Sequence, residues 1–134
     1  MLANEKMRIN IFLKSLSFTN SIKFYVEELG MFDLVNNFGT GFCTLRAKGA
    51  PNFDIILSED YNETGSWPAF ALSVNDCYAE LNRLRRVQFA SGGELIPTKE
   101  GKLEVFEYPG GRNILLRDPD SHEVMLFEYF GDPV

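Results

Sequence analysis

One histidine, His122, and two cysteines, Cys43 and Cys77, are the whole supply of imidazole and thiol in this chain. These are the side chains most used as general base, nucleophile and soft metal ligand. A serine or cysteine nucleophile needs a base within hydrogen-bond reach, and His122 falls in a turn, within "DPDSHE". It reads as a solvated turn residue. Asp118 and Asp120 read as turn makers that bond backbone amides. Cys43 and Cys77 lie in apolar contexts and form no CxxC pair, so they read as two reduced core thiols. No nucleophile constellation appears, no catalytic residue is assigned, and with a single histidine any charged site must lean on carboxylates. "YPGGR", Tyr108 to Arg112, lacks the GxxxxGK[ST] spacing of a phosphate loop, and a hairpin turn accounts for both glycines.

The elements that would position a site come from one domain. The chain has 134 residues, 45% of them hydrophobic and 24% charged, enough for one core. A net charge of −6 with no basic run disfavours nucleic acid, because phosphate contacts require clustered Lys and Arg. Neutral or cationic small ligands stay open. No apolar run approaches the ~20 residues of a membrane helix, so no membrane partner is expected. Met1 to Met7 lack the apolar stretch of a secretory signal, and the expected location is cytoplasmic.

Residues 8–14 ("RINIFLK") alternate, with Ile9, Ile11 and Leu13 on one face and Asn10, Phe12 and Lys14 on the other: a half-buried strand. A helix follows, with Ser17 and Thr19 both eligible as N-cap. It has a stripe of Ile22, Tyr25, Val26 and Leu29, and Gly30 stands where it should stop. Strands are expected at 32–36, 42–46 and 53–58. After a polar, turn-rich stretch the order restarts. A strand at 68–74 precedes a helix capped by Asn75 or Asp76 and carrying Cys77, Leu81 and Leu84 inward. Further strands are expected at 94–97, 103–108, 113–117 and 123–129. An offset of 59 residues takes Asn10 to Ala69, Ile22 to Leu81 and Tyr25 to Leu84. "DIILSE" (54–59) also matches "EVMLFE" (123–128). The chain therefore reads as an internal repeat: module one at 7–59, a linker at 60–66 and module two at 67–130, within a single domain 1–134.

"IKFYVEELGMF", "FALSVNDCYAEL" and "RDPDSHEVMLFE" resemble segments of the vicinal oxygen chelate superfamily. That group includes glyoxalase I, extradiol dioxygenases, fosfomycin-resistance enzymes and bleomycin-binding proteins. The resemblance implies an α+β fold in which two βαβββ modules form an incomplete curved barrel around a cavity. In metal-dependent members, His or Gln on each first strand and Glu on each last strand project into that cavity. Carried over residue by residue, the four positions are Asn10, Ile56, Ala69 and Met125. Only a few side chains can replace water around a divalent ion, and this set lacks them, so neither metal nor other cofactor is expected. A two-residue register shift keeps side chains on one face and would bring in Asp54 and Glu123 with Asn10, a loose hard-cation set. Glu59 and Glu128 have the opposite parity and read as rim charges, with Glu128 able to turn toward the ligand mouth.

The expected inner face is Asn10, Phe12, Lys14, Asp54, Ile56, Ser58, Ala69, Ala71, Ser73, Met125 and Phe127, a mostly apolar set with a few polar handles. Trp67, in "GSWPAF", resembles the metal-free bleomycin-binding branch, and Trp67, Phe12 and Phe32 would stack on an aromatic ligand. The implied function is binding and sequestration of a hydrophobic or aromatic small molecule by a cytoplasmic homodimer. The alternatives are a metal-dependent lyase, isomerase or dioxygenase with a displaced site, a metal-free catalyst using Lys14, Asp54 or Glu123, and a structural dimer with a filled cavity.

Overall fold

The structure, a computed structural model, describes residues 9–37, 41–59, 68–108 and 110–130. The chain divides into two compact units, Met1–Gly65 and Ser66–Val134. In the first, strand β1 (Ile9–Lys14) leads to helix α1 (Phe18–Ile22), which continues as a π-helical turn, Lys23–Glu28. Strands β2 (Phe32–Asn37), β3 (Phe42–Ala47) and β4 (Ala50–Ser58) complete a four-stranded sheet of order β1-β4-β3-β2. The first strand pairs parallel with the last, and the other pairs are antiparallel.

Ser17, not Thr19, caps α1: its Oγ accepts from the Asn20 amide at 3.2 Å. The Leu29 amide donates to the Phe24 carbonyl at 2.7 Å, a span of five residues that widens the turn. This rotates the buried stripe. Phe24 and Tyr25, adjacent in sequence, are both fully buried, as is Leu29, while Ile22 and Val26 are only half-buried. The 3.6-residue stripe expected from the sequence therefore holds at Tyr25 and Leu29 and fails at the other two. The Tyr25 ring meets Phe24 edge-on at 4.9 Å and Phe32 at 5.6 Å. Burial of each such side chain is worth about 1.5–3 kcal/mol. Gly30, with φ 72°, supplies the left-handed residue that ends the helix.

The second unit repeats the plan. Strand β5 (Phe70–Ser73) precedes helix α2 (Cys77–Leu84), then β6 (Glu94–Leu95), β7 (Phe106–Tyr108), β8 (Gly111–Arg117) and β9 (Glu123–Tyr129). The five-stranded sheet has order β5-β9-β8-β6, with β7 also on β8. Asp76 Oδ1 caps α2 through the Ala79 amide at 3.1 Å, and Cys77, Leu81 and Leu84 are buried. The expected strand at 94–97 is shorter because Pro97 has no N–H to continue the ladder; the Ile96 amide makes the last bond, to Leu115. Neither sheet closes into a barrel. Among the described residues no helix is long and apolar enough to cross a membrane.

Register supports the repeat. Phe12 lies beside Ile56 in the first unit and Ala71 beside Met125 in the second. These pairs are related by offsets of 59 and 69, the same two offsets that align the helices and the last strands.

The β8–β9 turn corrects one expectation. His122 is 8% exposed and Asp118 2%, so His122 is not solvated. Asp118 Oδ1 accepts from the amides of Asp120 and His122, each at 2.9 Å, and Oδ2 lies 2.7 Å from His122 Nδ1. The imidazole is drawn inward because the carboxylate that builds the turn also offers it a partner. Replacement of Asp118 by Ala strips three groups of their acceptor. We expect Asp118→Ala to lose about 3 kcal/mol of stability, read from the urea unfolding midpoint, and Asp118→Asn to lose less.

Candidate functional site

A groove lies on one face of the second sheet, and the core dictates what forms its floor. Ile114, Leu116, Val124 and Leu126 are buried on one face. Because strand side chains alternate, their neighbours Asn113, Leu115 and Met125 must take the other. Direct pairing aligns Ala71, Met125 and Leu115 in one row, and Ser73, Phe127, Asn113 and Phe106 in the next.

The wall has a topological origin. β6 and β7 occupy the same edge of β8 in succession, Leu95 beside Leu116 and Phe106 beside Asn113. After the last bond, from the Ile96 amide, residues 97–105 leave the ladder and, at 97–100 and 104–105, line the groove beside the floor. The Thr98 amide donates to the Lys102 carbonyl and the Gly101 amide to Thr98, both at 2.8 Å, with Gly101 at φ 81°. The Arg85 guanidinium, from the end of α2, donates to the Leu103 carbonyl. The open groove has a volume of about 660 Å³, within the range of small-molecule sites.

Ile96, Pro97, Val105, Phe106, Leu115 and Met125 make the lining largely apolar. Lys99, Glu100 and Glu104 are exposed at its margin, and Glu100 and Glu104 form no ion pair with any described residue. Among the described lining residues there is no histidine, cysteine or serine. The lining can exclude water and hold an apolar body, but it offers no paired nucleophile and base.

Of the residues expected from sequence to line a cavity, Met125 lies in this groove. Ala71, Ser73 and Phe127 share its sheet face. Ala69 is exposed, with its amide donating to the Glu123 carbonyl at 2.7 Å. Trp67 lies outside the described residues. Asn10, Phe12 and Lys14 pair with Asp54, Ile56 and Ser58 on one face of the first sheet. Phe32 is fully buried against Tyr25 and cannot stack on a ligand. Asn113, Leu115, Phe106 and the wall were not among the residues expected from the sequence. One signal was legible: the helices align at an offset of 59 and the last strands at 69. Module two thus carries ten more residues between them.

The residues present do not fit the metal that the fold's metal-dependent members hold. Asn10, Ile56, Ala69 and Met125 offer an amide, two alkyl groups and a thioether. Asp54, the displaced alternative, is gripped by Arg46: Nε to Oδ1 at 2.9 Å and Nη2 to Oδ2 at 3.1 Å, with the carboxylate side chain 6% exposed. The bidentate fork neutralises the charge a cation would need. Glu128 is no rim charge. It points to the helix side, accepts from the Cys77 amide at 2.9 Å and pairs with Arg112 at 3.0 Å. Among the described residues no three His, Cys, Asp or Glu side chains gather as a metal site.

The thiols are also unsuited to chemistry. Both cysteines are unbridged and buried. Burial pushes Cys43 up to about 11. Burial, reinforced by the Glu128 charge, does the same to Cys77, again to about 11. Tyr78 hydrogen-bonds Glu107, which raises the phenol and lowers the carboxyl; Arg112 lowers Glu107 further.

No protein-family model matches the chain, and no curated protein matches it significantly. Solved structures do. An antibiotic-binding protein, TnmS3 from Streptomyces sp. CB03234, is 23% identical with a TM-score of 0.69, covering 92% of this chain and 95% of its own. A glyoxalase/bleomycin resistance protein/dioxygenase from Alicyclobacillus acidocaldarius is 15% identical with a TM-score of 0.68, covering 98% and 97%. A lactoylglutathione lyase from Agrobacterium tumefaciens is 12% identical with a TM-score of 0.64, covering 90% and 91%. At these identities the likeness establishes the fold: the chain has the glyoxalase/bleomycin resistance fold, and the resemblance to the vicinal oxygen chelate superfamily holds at that level.

With thiol pKa values of about 11, only about a thousandth of each thiol is ionised at pH 8. Native protein should therefore label negligibly with iodoacetamide at pH 8 and faster by about tenfold per unit as pH rises toward 10. Denatured protein should label at both cysteines. Rapid native labelling at neutral pH would contradict the buried, desolvated geometry.

Proposed function

We propose that this chain is a small-molecule-binding protein that sequesters a hydrophobic or aromatic compound in the groove of its second unit, without a metal and without converting it. The observation that carries this reading is the groove lining: an apolar floor and wall with its charged residues at the exposed margin and no nucleophile beside a base. A site made mostly of apolar surface with few placed polar groups favours binding over bond-making. The neighbour described as antibiotic-binding supports it, although the fold by itself carries no activity. The protein acts as a homodimer in the cytoplasm on this reading. Two half-exposed aromatics on one sheet face, Phe12 at 50% and Phe42 at 45%, support an interface, and unbridged Cys43 and Cys77 suit a reducing compartment.

The test has two arms. Protein incubated with nickel, zinc, manganese or iron(II) and then dialysed should retain less than one ion per several chains by elemental analysis; near-stoichiometric retention would favour a metal-dependent enzyme. Thermal unfolding against a panel of aromatic antibiotics and thiol conjugates should rise with at least one compound. At a hundredfold excess over Kd the gain is about 2.7 kcal/mol, on the order of 8 °C for a chain of this size. Leu115→Trp, which fills the floor, should abolish the rise while unfolding near the wild-type temperature. A flat response across the panel overturns the binding reading.

A further inference from the structure

We propose that Asn113 selects what the groove accepts: a planar aromatic that bears a hydrogen-bonding edge, such as a carbonyl, amide or hydroxyl group. This deepens the reading above and rests on it. Asn113 lies mid-strand on β8, half-buried, on the groove face. Direct pairing sets it between Phe106 of β7 and Phe127 of β9, so an amide is flanked by two aromatic side chains in one row across three strands. Cross-strand neighbours of this kind have Cβ atoms about 5 Å apart. A flat ligand lying along the row would meet the rings with its faces or edges and place a substituent over the amide.

Strand stability does not explain an asparagine there, because Asn is among the residues depleted from strand interiors. Its side chain makes no hydrogen bond to any other described residue. The remaining polar groups of the lining are committed or wet. Thr98 Oγ1 accepts from the Lys102 amide at 3.3 Å, and Glu107 is held by Arg112 at 3.1 Å. Lys99, Glu100 and Glu104 are exposed. Asn113 is the uncharged donor and acceptor that an apolar ligand would cover. A ligand that covers the amide without answering it leaves a desolvated polar group, which is penalised in binding. The amide both donates and accepts, so it tolerates several edge chemistries while rejecting a bare hydrocarbon.

The test uses two probes of matched shape, 2-naphthamide and 2-methylnaphthalene, titrated into the full chain and followed by probe fluorescence. The informative quantity is the ratio of their Kd values, compared between wild type and Asn113→Leu, with Asn113→Ala as the second variant should the first fail to fold. The preference for the amide should fall about tenfold in either variant, while 2-methylnaphthalene binds as well or better. If both probes bind wild type and the ratio does not move on substitution, the role of Asn113 is overturned and the binding groove stands. If neither probe binds wild type, the groove itself is overturned as a ligand site, and Asn113 with it.

Discussion

The whole arrangement depends on the pleat of a strand sealed on one face. In β8 and β9, Ile114, Leu116, Val124 and Leu126 are withdrawn from water, each worth about 1.5–3 kcal/mol. A one-residue slip of either strand would turn its own pair outward, so the register is held by those burials. The groove floor inherits that register. Leu115, Met125 and Asn113 face the groove because their neighbours cannot. Core and site are thus two faces of the same pairing, and neither can shift without the other.

A repeat with a defect produces the difference between the units. In the first, one six-residue strand, β2, fills the outer edge of the sheet. In the second, the corresponding edge is filled by two short strands separated by a stretch that cannot join the ladder. Pro97 lacks the donor to continue it, and the turn at Thr98–Lys102 closes on its own backbone. The extra length is expelled from the sheet plane and becomes a wall. The repeated plan supplies a framework, and the ten additional residues of the second unit, placed at a sheet edge, supply a concavity.

Charge is consumed inside each sheet. Arg46 and Asp54 form a bidentate pair in the first. In the second, Arg112 bridges Glu107 and Glu128 while its guanidinium lies 5.0 Å from the Tyr78 ring and 4.7 Å from that of Phe130. Arginine suits both tasks because its planar, weakly hydrated head can stack and fork at once. These clusters look reactive in a residue census, but they tie strands and helix ends together. Glu128 in particular fastens β9 to the first amide of α2, a favourable place for a carboxylate because that end of a helix is electropositive.

What the amino-acid sequence determined by itself is whatever depends on neighbours along the chain. Alternation in residues 9–14 and 123–129, the stop at Gly30 and the turn built on Asp118 were legible, because each is set within about one turn or one hairpin; the caps were narrowed to Ser17 or Thr19 and to Asn75 or Asp76, and the two-module order showed as a repeated pattern along the chain. Tertiary structure decided the rest. The π-turn arises because Phe24, Tyr25 and Leu29 must all reach the core. His122 goes inward because Asp118 is already there to receive it. Asp54 is lost to chemistry because Arg46, eight residues earlier, crosses from the next strand. The groove exists because β6 and β7 pair with successive stretches of one edge of β8 and the residues between them have no ladder to join. These outcomes turn on which groups meet across strands, and pairing of that kind leaves no mark on local spacing.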